Sequence, residues 1–311
     1  MIARAPGKLV LSGAYAVLEG APAIVAAVDR YAVADASRPA DFITDEVRAS
    51  IAAGHLLQAP WFDASALRAP NPSGGPSRKL GLGSSAAILV ASLAAASPPD
   101  LPLEVLFERA LTAHRAAQGG GSGVDVAASV FGGVLVCRLA PDGRLSVKPH
   151  ALPEGTVIEV FSSPVSAETR SLLAAVRAFA ERDPSTYRAL LARASNASET
   201  ALVASTPADL ARAVALQARA LGELGRLAGA PIVPPEIATL ADAALAEGAT
   251  VSPSGAGGGD VSIFIGPAPA SEALLKLAGS VGLERVELRV GAPGVRGVVA
   301  VDGGGRAASS T

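Results

Sequence analysis

The segment that decides the fold is RKLGLGSSAAILVASLAA, residues 78–95. A glycine and serine turn at 81–85 opens directly into an alanine-rich apolar run, which predicts a helix. The first N–H groups of such a helix have no partner within it, and with the positive end of the helix dipole they favour phosphate. On this segment alone, an ordinary loop with a serine N-cap is an equally good interpretation. The segment is not a Walker A sequence, since no Gly-Lys-Ser/Thr follows the glycines.

A phosphate site at this turn needs more than the helix. The dipole contributes only about 0.3–1 kcal/mol, so a polyphosphate also requires cations and a metal ion. The local candidates are Lys79 and the hydroxyl groups of Ser84 and Ser85. In this arginine-rich chain, lysine occurs only at Lys8, Lys79, Lys148 and Lys276. Two of these lysines stand beside glycine motifs, which suggests a need for a compact point charge there.

Composition places the chain among packed globular proteins. Half of its 311 residues are apolar and 17% are charged, which suits one large domain or two of ordinary size. The formal charge of −2 gives no reason to expect nucleic acid or an anionic membrane as a partner. Cys137 is alone, which excludes a disulfide framework and a cysteine-based zinc site. Because no apolar stretch approaches the ~20 residues of a membrane helix and no signal-peptide core is present, we expect a soluble cytoplasmic protein.

A second glycine motif is AHRAAQGGGSGVD, residues 113–125. Ser122 is the natural cap of the helix predicted to follow, although Asp125 as a cap is the simpler interpretation of that carboxylate. Asp125 stands among apolar residues and therefore needs a cation nearby, for which Lys8 is a candidate. His114 has no second histidine or cysteine at ligand spacing, so it does not indicate a zinc site.

A third motif, PSGAGGGD at residues 253–260, lies between two predicted strands. A nearly continuous glycine run costs conformational entropy unless the backbone must come close to another group. A cradle for phosphate or substrate is therefore favoured over a flexible hairpin loop.

The remaining pattern predicts alternating strands and helices, with a boundary near residues 150–156. Helices are predicted at 84–96, 102–118, 122–130 and 271–281, and over 166–248 with breaks at 183–184, 206–207 and 231–235. Strands are predicted at 1–11, 23–33, 134–138, 145–148, 156–162, 250–252, 261–266, 286–290 and 297–301, with short candidates within 43–51. The loop at 70–77 is predicted to be mobile and the tail at 303–311 to be frayed.

Four ordered motifs resemble those of the GHMP small-molecule kinases, which include galactokinase, homoserine kinase, mevalonate kinase and phosphomevalonate kinase. The motifs are APGK at 5–8, KLGLGSSAA at 79–87, SGVD at 122–125 and SGAGGG at 254–259. The resemblance spans nearly the whole chain and implies a two-domain α+β fold. It implies a ribosomal-S5-domain-2-like N-terminal domain, residues 1–155, with the ATP phosphate-binding loop. It also implies a ferredoxin-like C-terminal domain, residues 156–311, whose glycine-rich loop closes over the substrate.

The same resemblance implies ATP and Mg²⁺ as ligands. The implied catalytic residues are Lys8, Lys79 and Asp125. The implied ATP-binding residues are Gly81, Leu82, Gly83, Ser84, Ser85 and Ala86, with Ser84 and Ser85 also as metal ligands. The implied substrate-binding residues are Lys8, Tyr15, Ser122, Gly123, Ser254, Gly255, Ala256, Gly257 and Gly258. In this scheme the lysines neutralise charge on the transferring phosphoryl group and the acceptor phosphate, and Asp125 orients Lys8 or the acceptor.

Within the family, three features look like the bacterial phosphomevalonate kinases. They are YAVLEG at 15–20, the lead from Ala113 into SGVD, and GGGD at 257–260. Mevalonate kinases typically carry a metal-binding glutamate where His114 falls. The family usually has a glutamate where this chain has Ala14, a departure that bears on the local hydrogen bonding and on the substrate.

We therefore expect an ATP-dependent kinase of the mevalonate pathway that phosphorylates a small phosphorylated substrate, 5-phosphomevalonate. One alternative is a kinase with an alcohol acceptor, most plausibly mevalonate, in which Asp125 would act as the base. A non-catalytic binding protein of the same fold and a decarboxylating relative are further alternatives. We expect no nucleic-acid or membrane partner, and a monomer or a homodimer.

Overall fold

The computed structural model describes residues 1–69, 77–163 and 169–298. In chain order the strands are β1 (Ile2–Ser12), β2 (Ala23–Pro39), β3 (Pro60–Asp63), β4 (Arg68–Ala69), β5 (Arg78–Lys79), β6 (Val134–Leu139), β7 (Leu145–Pro149), β8 (Val157–Ser162), β9 (Thr250–Pro253), β10 (Val261–Gly266), β11 (Glu284–Val286) and β12 (Arg296–Val298). The α-helices are α1 (Asp45–Ala52), α2 (Ser84–Ala96), α3 (Leu103–Gln118), α4 (Val124–Phe131), α5 (Thr169–Arg182), α6 (Pro184–Leu202), α7 (Pro207–Ala228), α8 (Pro235–Ala244) and α9 (Glu272–Ser280).

The first sheet runs in the order β12-β1-β2-β6-β7, with β3 also paired to β2, and all of its pairs are antiparallel. Helices α2 and α4 pack against β1 and β2. Every residue of α2 from Ala86 to Leu93 is buried, as expected for a helix that is apolar on all sides. The helix whose N-terminus was predicted to bind phosphate is therefore held in the core of this layer.

The second sheet runs in the order β11-β8-β10-β9 and is also antiparallel. Its strands and helices follow one another as strand, helices, strand, strand, helix, strand, which is the β-α-β-β-α-β sequence of ferredoxin-like domains. The α+β class with two domains is thus confirmed. The division at residue 155 stays a proposal, because β12 leaves the second half of the chain and pairs with β1, with Ile2 opposite Val298.

The strand candidates within 43–51 are wrong, because this segment forms helix α1. The Thr44 hydroxyl accepts a hydrogen bond from the Val47 N–H at 3.3 Å, and Asp45 and Glu46 occupy the first turn, where the helix dipole favours acids.

Most other predicted elements agree with the structure. The helical breaks at 183–184, 206–207 and 231–235 all separate helices, and proline opens α6, α7 and α8. The strand predicted at 286–290 is wrong in extent: pairing with β8 ends at Val286, and Val290 forms only an isolated bridge with Val28. The predictions for 70–76 and 303–311 lie outside the described residues. Within the described part of the chain, no helix combines the length and apolar character needed to cross a membrane.

Candidate active site

The first and third glycine motifs converge on the side chain of Lys8. Its Nζ lies 3.4 Å from the carbonyl oxygen of Gly81 in the first loop. A Cβ added at Gly83 would lie 3.0 Å from the Lys8 Cγ, and one added at Gly255 in the third loop would lie 3.6 Å from its Nζ. Segments more than 170 residues apart in the sequence therefore enclose one cation between the two domains.

The position of Lys8 follows from an irregularity in β1. The register of β1 on β2 shifts between Pro6 and Gly7, which is where a bulge re-aims the following side chain. A Cβ added at Gly7 would lie 2.7 Å from the Leu82 carbonyl oxygen, which accepts a hydrogen bond from the Lys8 N–H at 2.8 Å. Glycine at position 7 thus lets β1 touch the first glycine loop directly.

The first and third glycine loops enclose Lys8 in a crevice, and the start of α2 lies at this crevice. The helix is capped by Gly83, whose φ is +74°, and not by a serine, so the serine N-cap interpretation is wrong. Ser84 and Ser85 are instead the first two helical residues, and their N–H groups, with that of Ala86, have no partner within the helix. A cluster of donors and two hydroxyl-bearing residues therefore stand at the positive end of a buried helix.

Asp125 lies in the first turn of α4, which is capped by Gly123 with a φ of +80°, so the expected Ser122 cap is wrong. One carboxylate oxygen of Asp125 accepts a hydrogen bond from the Val126 N–H at 3.0 Å. The other lies 3.4 Å from Nε2 of the buried His114. Among the described residues, His114 and not Lys8 is the basic side chain within ion-pair distance of Asp125.

Ser129 explains why Asp125 faces the crevice. Its hydroxyl donates a hydrogen bond to the Pro6 carbonyl oxygen at 2.8 Å, which fixes α4 to β1. Asp125 is four residues earlier and so lies on the same side of the helix.

Burial lowers the pKa of the Lys8 ammonium group, and the negative charges of Asp125 and Asp260 oppose that shift. Lys8 and Asp125 therefore interact electrostatically without direct contact.

The third loop is tied to the first domain by side chains of both halves. The Ser254 hydroxyl accepts a hydrogen bond from the Val10 N–H at 2.9 Å, and the Tyr15 hydroxyl donates to the Ala256 carbonyl oxygen at 2.7 Å. Tyr15 has a φ of +60°, the only positive φ of a described residue other than glycine. Burial raises the pKa of its phenol, so the hydroxyl stays a donor. Substrate contacts of Tyr15 and Ser254 remain predictions, since both hydroxyls already bind backbone groups.

Gln217 on α7 contacts the same region, although no sequence motif predicted it. Its side-chain oxygen lies 3.3 Å from the Ser12 hydroxyl and accepts a hydrogen bond from the Gly13 N–H at 3.0 Å. Its amide nitrogen donates to the Ser198 hydroxyl at 2.5 Å. A buried glutamine on an otherwise apolar helix face was the available signal, because such a group must find partners.

Lys79 is exposed, and the described contacts do not place its side chain in the crevice. Its catalytic role therefore remains a prediction. Gly257 and Gly258 lie against Ile232, whose carbonyl oxygen accepts a hydrogen bond from the Gly258 N–H at 3.2 Å. The other predicted substrate residues, Ser122 and Gly123, form the turn into α4 beside Asp125.

The donor set near Lys8 suits a magnesium ion that is held largely by phosphates. Among the described residues, no group of three or more His, Cys, Asp or Glu is arranged to hold a metal ion by itself. Mg²⁺ typically keeps several waters and binds one or two protein oxygens together with substrate phosphates. Ser84 and Ser85, the predicted metal ligands, can supply such an oxygen at the start of α2.

Comparison with known proteins identifies the class. The family model of the GHMP kinases N terminal domain matches residues 72–133, and that of the GHMP kinases C terminal domain matches residues 199–282. The first match contains the first two glycine loops, and the second contains β9, β10 and the third glycine loop between them. The chain belongs to the GHMP kinases, a family of small-molecule phosphotransferases.

Three individual relatives extend the match over most of the chain. A protein named phosphomevalonate kinase from Streptomyces sp. (strain CL190) is 29% identical, with 87% of this chain and 91% of the relative covered. The structure of a Lin0012 protein from Listeria innocua superposes with a TM-score of 0.79 at 23% identity, covering 95% and 98% of the two chains. That of Streptococcus pneumoniae phosphomevalonate kinase with phosphomevalonate and AMPPNP gives 0.73 at 18% identity, covering 93% and 99%. These superpositions confirm the two-domain GHMP kinase fold.

Proposed function

We propose that this protein transfers the γ-phosphoryl group of ATP to the phosphate of 5-phosphomevalonate, giving 5-diphosphomevalonate and ADP. The relative named phosphomevalonate kinase, aligned over most of both chains, supports this acceptor. The single structural observation that carries the proposal is the environment of Asp125. Both of its carboxylate oxygens already lie beside partners, Val126 and His114.

That environment favours a phosphate acceptor over an alcohol. An alcohol must lose a proton as it attacks phosphorus, so an alcohol kinase benefits from a carboxylate that is free to accept one. A phosphate monoester is already ionised near pH 7 and needs no strong base. Asp125, held by His114 and by the start of α4, is suited to orienting charge and not to taking a proton.

The nucleotide site of this proposal is the start of α2. Its unpaired N–H groups and the loop 81–85 would hold the ATP phosphates, and Ser84 or Ser85 would contribute a hydroxyl oxygen to Mg²⁺. When bound, Mg²⁺ supplies charge neutralisation on the β- and γ-phosphates. Lys8 stands between this loop and the third loop, where its ammonium group neutralises charge shared by the two ligands.

In the reaction, an oxygen of the acceptor phosphate forms a bond to the γ-phosphorus while the bond to the bridging β,γ-oxygen breaks. ADP leaves with the electron pair of that bond, and no proton needs to be removed from the acceptor. The chain contributes positioning and charge. Lys8 neutralises charge on the transferring group, and Asp125 orients Lys8 or the acceptor. Loop 254–258 forms the wall of the site on the side of the second domain.

The test is an ADP-release assay with 5-phosphomevalonate, mevalonate and homoserine at equal concentrations. We expect rapid ADP release with 5-phosphomevalonate only. Faster release with mevalonate or homoserine would replace the proposed acceptor by an alcohol. ATP binding without ADP release from any of the three would favour a non-catalytic protein, and CO₂ release would favour a decarboxylating relative.

Asp125→Asn provides a prediction that separates a phosphate acceptor from an alcohol acceptor. The amide keeps the size of the side chain and one oxygen acceptor but cannot take a proton. If no base is needed, kcat should fall by about tenfold or less, whereas loss of a general base costs about 10²–10⁴. The measurement is kcat by ADP release, with Asp142→Asn in the exposed hairpin between β6 and β7 as the control. A fall beyond about 10² would argue for base catalysis.

A further inference from the structure

Two basic residues, Arg78 and Lys79, precede the first glycine loop, and the side chain of Arg78 is the one that points inward. It occupies β5 with Lys79, and neighbouring side chains of a strand point to opposite faces. Lys79 is exposed, whereas the Nε and Nη1 atoms of Arg78 are buried and have no hydrogen-bond partner among the residues that the structure describes. The remaining nitrogen, Nη2, lies 3.3 Å from the Ser162 hydroxyl at the end of β8.

Ser162 places this guanidinium group beside the crevice. It pairs with Val261, the residue after Asp260, and the N–H of the neighbouring Ser163 donates to the Asp260 carbonyl oxygen at 3.2 Å. Asp260 in turn lies against the first loop, since a Cβ added at Gly81 would be 2.6 Å from its Cβ. Arg78 therefore sits where the first glycine loop meets the second domain.

A guanidinium group with two buried and unsatisfied donors is unfavourable for the free protein. Burial removes water from the donors, and one long hydrogen bond to a neutral serine does not replace it. A phosphate or carboxylate oxygen would satisfy these donors with charge-assisted hydrogen bonds, for which arginine is well suited. A buried group that lowers the stability of the free protein is typical of a binding site and not of a residue selected for stability.

We propose that Arg78 binds an anionic oxygen of a ligand in the crevice, either a phosphate of the nucleotide or a phosphate or carboxylate of the acceptor. The proposal rests on the proposed function for the identity of the acceptor, but not for that of the nucleotide. It makes Arg78 a second binding cation beside Lys8, on the wall of the site formed by β5 and β8.

The test is calorimetric titration of wild type, Arg78→Met and Arg78→Lys with three probes: Mg²⁺–AMPPNP, inorganic pyrophosphate and 5-phosphomevalonate. We expect Arg78→Met to weaken at least one probe by roughly tenfold to 100-fold, the range for a lost charge-assisted hydrogen bond, and Arg78→Lys to recover part of that loss. A loss confined to AMPPNP and pyrophosphate assigns Arg78 to the nucleotide, and one confined to 5-phosphomevalonate assigns it to the acceptor. The control is Arg144→Met, whose side chain is 80% exposed in the β6–β7 hairpin.

Thermal unfolding of the ligand-free variants separates binding from a structural role. If Arg78 serves a ligand, Arg78→Met should unfold at the same temperature as wild type or higher, because an unsatisfied buried charge has been removed. A clear fall in that temperature, with every probe weakened alike and no recovery in Arg78→Lys, would overturn the proposal. Unchanged affinity for all probes would overturn it as well. If wild type binds AMPPNP but not 5-phosphomevalonate, the proposed acceptor is wrong, and the two nucleotide-like probes alone decide on Arg78.

Discussion

Replacing Lys8 by methionine should lower kcat by about 10²–10³, the typical cost of removing one group that stabilises charge in a transition state. The physical reason is its position: the ammonium group lies beside the first and third glycine loops and has Asp125 as an electrostatic neighbour. Methionine keeps most of the length and apolar character of the side chain but removes the charge. The measurement is kcat from ADP release, with the thermal unfolding temperature recorded in parallel.

Lys276→Met is the matched control, because that lysine is 83% exposed on α9 and its loss should leave kcat unchanged. Lys8→Met should still fold, since the charge it removes is disfavoured by burial. A kcat within about threefold of wild type, with the fold intact, would exclude Lys8 from charge stabilisation.

The lowered pKa of Lys8 also sets the expected pH dependence. Its ammonium group loses a proton at a lower pH than an exposed lysine, so kcat/KM should decline on the alkaline side as pH rises through that pKa. Between this pKa and the ordinary one, the folded state binds fewer protons than the unfolded state, so stability rises with pH in that window. Lys8→Met should lose this part of the stability change.

Replacing Gly257 by alanine should lower kcat/KM by about 10², because a displacement of roughly 1 Å in a positioned group has an effect of that size. A Cβ at this position would lie 2.0 Å from the Ile232 carbonyl oxygen, and the φ of +84° disfavours any side chain. The third loop must therefore move away from Ile232, and the wall opposite Lys8 moves with it. Steady-state kinetics at varied acceptor and ATP concentrations measure the effect.

Gly229→Ala tests whether the effect is specific to the loop. Gly229 ends α7 with a φ of +67°, but a Cβ there would meet no atom within 4 Å. We expect it to lower the free energy of unfolding by about 1–2 kcal/mol and to leave kcat/KM unchanged. Equal kinetic losses in both variants would mean that strain at glycine, and not the position of the third loop, controls activity.

Local signals predicted much of this fold. The helices were predicted from two such signals: the apolar run after Ser85 and the proline at each break between 183 and 235. Both signals act over a few neighbouring residues and can therefore be recognised in the sequence. The predicted helix caps were less accurate. Serine is the preferred cap by propensity, whereas both glycine loops enter their helices through a left-handed glycine, Gly83 or Gly123.

The site was harder to predict, because its partners come together only in the folded chain. The motifs pointed to Lys8 and Asp125, but the pairing of Asp125 with His114 depends on how α3 and α4 pack. Lys79 was predicted to be catalytic from its residue type and its place beside the glycines. Side chains alternate along β5, however, so Arg78 faces inward where Lys79 is exposed. Ser129 and Gln217 carry no motif, and their roles follow from backbone groups that only tertiary structure brings near them.

Because β12 returns to the first sheet, a single break in the chain cannot separate the two domains. A fragment that stops at residue 155 would leave the outer side of β1, opposite Val298, Gly297 and Arg296, without its neighbour. Exposed edge strands of this kind recruit other chains and promote aggregation. Because β12 pairs with the strand that bears Lys8, the first sheet is complete only after residues 296–298 have been synthesised.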